Sequence, residues 1–150
     1  MIKIEQVPAD DEELGKLRQE LRADLTARYP EQGADTDDHL NESIRFLLMS
    51  QDEVAIGCCA LQRNEGSGLD GLELKRMYVV PAARGTGVAN RLLAAAEALG
   101  RELGAPQIYL ETGTRQPESI RFYERNGFGE IPVYPPFAGS ALSVSYAKAL

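Results

Sequence analysis

The chain has 150 residues, 43% of them hydrophobic and 26% charged, which fits one globular domain, spanning residues 1–150, that buries about two-thirds of its unfolded surface. No apolar run approaches the roughly 20 residues needed to cross a bilayer. The first residues hold no long apolar segment of the signal-peptide kind, so the expected location is the cytoplasm, with no membrane as partner. A net charge of −7 argues against a general nucleic-acid binder and suits cationic small molecules.

Taken in order, residues 2–7 alternate apolar and polar and predict a first strand. Asp10, with Glu13 three residues on, has capping-box spacing for a helix that runs to about Arg28. Leu14, Leu17, Leu21 and Leu25 form its apolar stripe. Periodicity then disappears over residues 29–42, where Pro30, Gly33 and the acids Glu31, Asp35, Asp37, Asp38 and Glu42 surround His39; this predicts a loop. It reads either as a solvated connection or as part of an acceptor site that attracts an amine cation. His39, the sole histidine, lacks ligand-spaced Cys or His partners, and no metal site is expected.

Residues 44–49 and 53–61 predict a hairpin, and residues 64–71 a glycine-rich turn. Within the hairpin the adjacent Cys58 and Cys59 should point to opposite faces as reduced packing residues. A central strand follows from Leu72, then a turn at Pro81, then a helix with Val88, Leu92, Leu93, Ala96, Leu99 and Leu103 on one stripe. Gly104 and Pro106 stop that helix. Residues 107–111 form another strand, Pro117 opens a helix that ends at Asn126-Gly127, and residues 128–133 and 142–147 form the last two strands around a Pro135-Pro136 loop. The order of strands and helices predicts an α/β (α+β by stricter criteria) fold with helices on both faces of a mixed sheet.

The segment between the central strand and its helix carries the chemistry. Glycines at a helix N-terminus present unpaired N–H groups and the positive dipole end, which together hold phosphate. Gly85 and Gly87 have no Cβ, so the backbone can turn with positive φ and approach a ligand. The nucleotide-triphosphate loop, with its Gly-Lys-Ser/Thr, is absent, and the dinucleotide fingerprint fails because Asn90 stands where a small residue belongs.

Arg84-Gly85-Thr86-Gly87-Val88-Ala89 resembles the Arg/Gln-x-x-Gly-x-Gly/Ala signature of the GNAT N-acetyltransferase family. Residues 77–81 resemble that family's cofactor strand, and residues 120–128 its tyrosine-bearing helix and the strand after it; the likeness covers roughly residues 40–130. The resemblance implies a single-domain acyl-CoA N-acyltransferase-like fold with a mixed, mostly antiparallel seven-stranded sheet whose fourth and fifth strands splay apart. It implies acetyl-CoA as cosubstrate, its pantetheine arm paired with the backbone of Met77, Tyr78 and Val79, and its pyrophosphate held by Arg84, Gly85, Thr86, Gly87, Val88, Ala89 and Asn90. Tyr123 lies where the family's general acid lies. Gln116 and Ser119 stand where the family often has Asn and Ala, so Gln116 is expected to offer its amide on a longer arm.

Glu73 and Glu111 are rival candidates for the base, and either could instead bind a cationic acceptor or pair with Lys75 or Arg76. Tyr78 and Tyr134 are either acceptor-site walls or packing residues. Neither cysteine has an evident activating base, which favours direct attack in a ternary complex over an acetyl-enzyme. The expected acceptor is a small-molecule amine; a protein N-terminus or lysine, and a non-catalytic acyl-CoA sensor, are the alternatives. A homodimer is common in the family.

Overall fold

The computed structural model of the chain describes residues 1–33 and 37–150. Alternating side chains at the N-terminus form β1 (Ile2–Val7), which is followed by helix α1 (Glu12–Arg28). The N-cap of α1 is Asp11, one residue beyond the Asp10 expected: its carboxylate accepts the N–H of Leu14 at 3.0 Å. β2 (Arg45–Gln51), β3 (Val54–Gln62) and β4 (Leu72–Val79) follow, then α2 (Val88–Glu102), β5 (Gln107–Gly113), α3 (Pro117–Arg125), β6 (Gly129–Ile131) and β7 (Ser143–Ala149). They form one seven-stranded sheet in the order β1-β2-β3-β4-β5-β7-β6, in which β4 and β5 are parallel and every other pair is antiparallel. Among the described residues no helix is long and apolar enough to cross a membrane.

Each face of the sheet carries its own core. On one, Leu14, Leu17 and Leu21 of α1 pack over Phe46, Leu48, Cys58 and Tyr78. On the other, Val88, Leu92, Leu93, Ala96 and Leu99 of α2 and Tyr123 of α3 pack over Leu47, Met49, Cys59, Ile108 and Leu110. The period-2 alternation of a strand thus sends the neighbouring cysteines into different cores. Leu103 departs from the predicted stripe: as the C-cap of α2 it has turned outward and is 45% exposed.

Two irregularities create the site. Cys58 faces Tyr78 and Ala60 faces Lys75, so β4 holds one extra residue there, a β-bulge in which Arg76 takes φ of 56° and its carbonyl accepts the Cys58 thiol at 3.5 Å. The β4–β5 ladder consists of only Leu72 opposite Ile108 and Glu73 opposite Tyr109. Beyond Glu73 the two strands diverge, which is the expected splay.

Candidate active site

The splay opens into a cavity of about 470 Å³. Its lining brings together Glu73 and Met77 from β4, Glu111 from β5, Gln116 and Tyr123 from the α3 region, and Tyr29 and Phe137 from the loops. Three residues expected to do chemistry, from distant parts of the chain, therefore share one space. Asp35 lies outside the described residues; Asp37 pairs with Arg18 at 2.9 Å and Arg76 at 3.6 Å.

The glycine turn lies between β4 and α2. Gly85 and Gly87 have φ of 77° and 86°, and Gly87 is the N-cap of α2, with no side chain bonded to the helix end. The first intrahelical bond nearby is that of Arg91 N–H to the Gly87 carbonyl at 3.4 Å, so the amides of Val88, Ala89 and Asn90 precede the helical ladder. A Cβ added at either glycine would meet nothing within 4 Å, leaving space in front of the turn. The side chains are turned to other tasks. Val88 is buried in the core, Thr86 Oγ1 donates to the Ala83 carbonyl at 2.5 Å, and Asn90 Oδ1 accepts from Asn126 Nδ2 at 3.1 Å, tying α2 to α3. Arg84 bonds through Nε to the Val79 carbonyl at 2.8 Å and lies 5.5 Å from the Tyr78 ring centroid.

Residues 77–79, the expected cofactor strand, form the end of β4 beside β3. Val80 N–H bonds to the Ile56 carbonyl at 2.9 Å, and Gly57 is opposite Val79. Alternation along the ladder then turns the peptide groups of Tyr78 toward β3 and those of Val79 toward the gap. Tyr78 is also a packing residue: its hydroxyl donates to Glu20 Oε1 of α1 at 3.2 Å.

Tyr123 is 5% exposed, edge-on to Phe122 at 5.2 Å and Phe128 at 5.4 Å. Burial pushes its phenol well above the ordinary value. Gln116 caps α3 and turns its amide oxygen inward, accepting from Gly113 N–H at 3.2 Å and the Tyr29 hydroxyl at 3.3 Å.

Tyr29, at the start of the loop expected over residues 29–42, lines the cavity. Its hydroxyl also accepts the Arg115 N–H at 3.0 Å, and the Arg115 guanidinium lies 5.3 Å from its ring centroid. Arg115 forks onto Glu31, both bonds at 2.7 Å, and Arg28 pairs with Glu118 at 2.5 Å, so the segment after α1 is fastened to the β5–α3 loop. Gly113 makes this possible. A Cβ there would overlap the Tyr29 hydroxyl and Cζ and come within 2.7 Å of Gln116 Oε1. Gly113→Ala is expected to destabilise the protein by about 1–3 kcal/mol, by chemical denaturation. In a Tyr29→Ala background the same substitution should cost clearly less; equal costs would mean that the crowding is relieved elsewhere.

The two carboxylates differ sharply. Glu73 is 1% exposed, and its Oε2 accepts the Tyr134 hydroxyl at 2.7 Å. Its Oε1 accepts from Gln62 Nε2 and Asn64 Nδ2, both at 3.4 Å, and lies 3.7 Å from Lys75 Nζ. Tyr134 is therefore a buried packing residue, edge-on to Tyr109 at 5.0 Å, and not an open wall. Glu111 is half-buried, and its charge helps raise the phenols of both Tyr29 and Tyr134 after the larger effect of burial. It lines the cavity together with Tyr29. Among the described residues no group of three or more His, Cys, Asp or Glu could hold a metal.

Residues 14–128 match the family model of the acetyltransferase (GNAT) family. The chain belongs to that family. A GNAT relative described as an IAA acetyltransferase, from Azospirillum brasilense, is 35% identical over 107 residues, covering 71% of this chain and 69% of its own. A Klebsiella pneumoniae structure assigned as an acyl-CoA N-acyltransferase is 30% identical, with a TM-score of 0.82 over 100% of this chain and 98% of its own. The GNAT fold is shared too with the PaiA N-acetyltransferase of Thermoplasma acidophilum, solved with coenzyme A, at 19% identity and a TM-score of 0.75 over 100% of this chain and 99% of that one. As a GNAT member the chain is an N-acetyltransferase.

Proposed function

We propose that the protein transfers the acetyl group of acetyl-CoA to a primary amine of a small molecule by direct attack in a ternary complex. The observation that carries this reading is the cavity at the β4–β5 splay, where Glu111 and Tyr123 line one space of about 470 Å³, within the range of small-molecule sites. The glycine turn would hold the pyrophosphate through the amides of residues 85–90, with the Arg84 charge beside it. The strand edge at Met77 and Val79 and the Gln116 amide would meet the pantetheine arm.

The protons balance as follows. Glu111 takes a proton from the acceptor amine, directly or through water, and the nitrogen lone pair adds to the thioester carbonyl. The tetrahedral intermediate collapses with cleavage of the C–S bond, and Tyr123 donates its phenolic proton to the departing sulfur. The products are the amide and free coenzyme A. An acetyl-enzyme on cysteine is disfavoured: Cys58 and Cys59 are buried, and burial pushes the Cys58 thiol up to about 12 and Cys59 higher still.

The deciding assay follows thiol release from acetyl-CoA across a panel of small amines. Acceptor-dependent release supports the enzyme; coenzyme A binding with no release for any amine or peptide would favour a sensor domain. Gly87→Val tests the turn separately. The new residue would sit at φ of 86°, which a branched side chain resists, and its Cβ would enter the space the ligand needs. Coenzyme A affinity is expected to fall at least about tenfold by calorimetry, and unchanged affinity would detach the turn from the phosphates.

A further inference from the structure

We propose that Glu73 is a positioning residue, whose buried carboxylate locks the segment before β2 and the segment after β6 into one acceptor wall and thereby sets acceptor affinity. This rests on the acetyl-transfer reading above.

The bonds around Glu73 form a hub. Gln62, which donates to Glu73 Oε1, gives the same Nε2 to the His39 carbonyl at 2.8 Å, and its Oε1 accepts the Asn41 N–H at 3.1 Å. Asn64, the second donor to Oε1, also reaches the Pro135 carbonyl at 3.4 Å, while Tyr134 holds Oε2. Lys75 stands 3.7 Å from the carboxylate and 5.4 Å from the Phe137 ring centroid, and Phe137 in turn meets Tyr134 and His39 edge-on at 5.8 and 6.1 Å. Residues 39–41 and 134–137 are about a hundred positions apart in the chain, yet both are bonded through this one carboxylate or its direct partners. His39 and Phe137 line the cavity.

A carboxylate has about four lone-pair sites. Two amide donors and a phenol occupy three of those of Glu73, and the Lys75 ammonium faces the carboxylate at 3.7 Å, so little acceptor capacity is left for an incoming amine. Its location agrees: it is in the last paired position of β4 before the strands part, at the root of the splay. A rigid hub there fixes the wall without touching the reacting atoms, and loosening it charges acceptor binding with the ordering of two loops.

The test compares Glu73→Gln and Tyr134→Phe with the unaltered enzyme, by steady-state kinetics across pH and by hydrogen–deuterium exchange. Each variant is expected to raise acceptor KM at least about tenfold while kcat stays within about threefold. The fall in activity toward acid pH should persist, and amides in residues 39–41 and 134–137 should exchange faster. Tyr134→Phe removes a single hydroxyl and gives the same readout if Glu73→Gln folds poorly. A loss of kcat of about a hundredfold or more in Glu73→Gln, with loss of the acid limb, would make Glu73 the base and overturn the proposal. Unchanged KM and exchange would overturn it equally. If the unaltered protein acetylates no amine, the functional reading falls, while the exchange data still decide for or against the hub.

Discussion

Glu111→Gln is expected to lower kcat at least about a hundredfold, the range of a lost general base. The amide keeps the shape of the carboxylate, and β5 stays fixed by its seven-residue ladder with β7, in which Glu111 is opposite Ser145. The change therefore removes proton acceptance with little disturbance of the fold. Activity should also lose its dependence on pH along the limb where it falls as pH falls, because that limb reports protonation of the base. Rates at saturating acetyl-CoA, measured from acid to neutral pH, check both effects. A variant with the original kcat and an intact limb would remove Glu111 from the mechanism.

Tyr123→Phe is expected to lower kcat at least about tenfold and to leave coenzyme A affinity nearly unchanged. Proton transfer from an ordinary phenol, pKa about 10, to a free thiolate of pKa about 8.5 is already uphill by roughly 2 kcal/mol. Burial raises the phenol further, so donation must accompany C–S cleavage and not follow it. The same shift makes a second outcome readable. A raised pKa keeps the proton on Tyr123 through neutral and alkaline pH, so kcat of the unaltered enzyme should show no decline from this residue up to about pH 10. Calorimetry with coenzyme A separates binding from chemistry, and equal kcat in the two proteins would leave Tyr123 as a packing aromatic.

Much of this architecture can be read from residues that act locally. Alternation in residues 2–7, the leucine stripe of α1, the glycines before α2 and Pro117 at the start of α3 impose their structure within a turn or two of chain. Errors of one residue, as at the α1 cap, arise because Asp10 and Asp11 are equivalent until the Leu14 N–H picks one. What stays hidden is the difference between Glu73 and Glu111. Both are acids on adjacent strands that line one cavity, yet Glu73 is buried and bonded by Tyr134, Gln62 and Asn64, whereas Glu111 is half-buried. Those partners come from remote segments, and no spacing in the chain announces them. The role of Gly113 is hidden for the same reason, since the ring that excludes a Cβ there belongs to Tyr29.

Cys58 and Cys59, each at 0% exposure in separate cores, have a practical consequence. A colorimetric disulfide reagent added to the native enzyme should respond to coenzyme A liberated by turnover and not to the protein. Once the chain is denatured, two further equivalents per molecule become reactive, so the rate at which they appear is a clock for global opening that needs no engineered label.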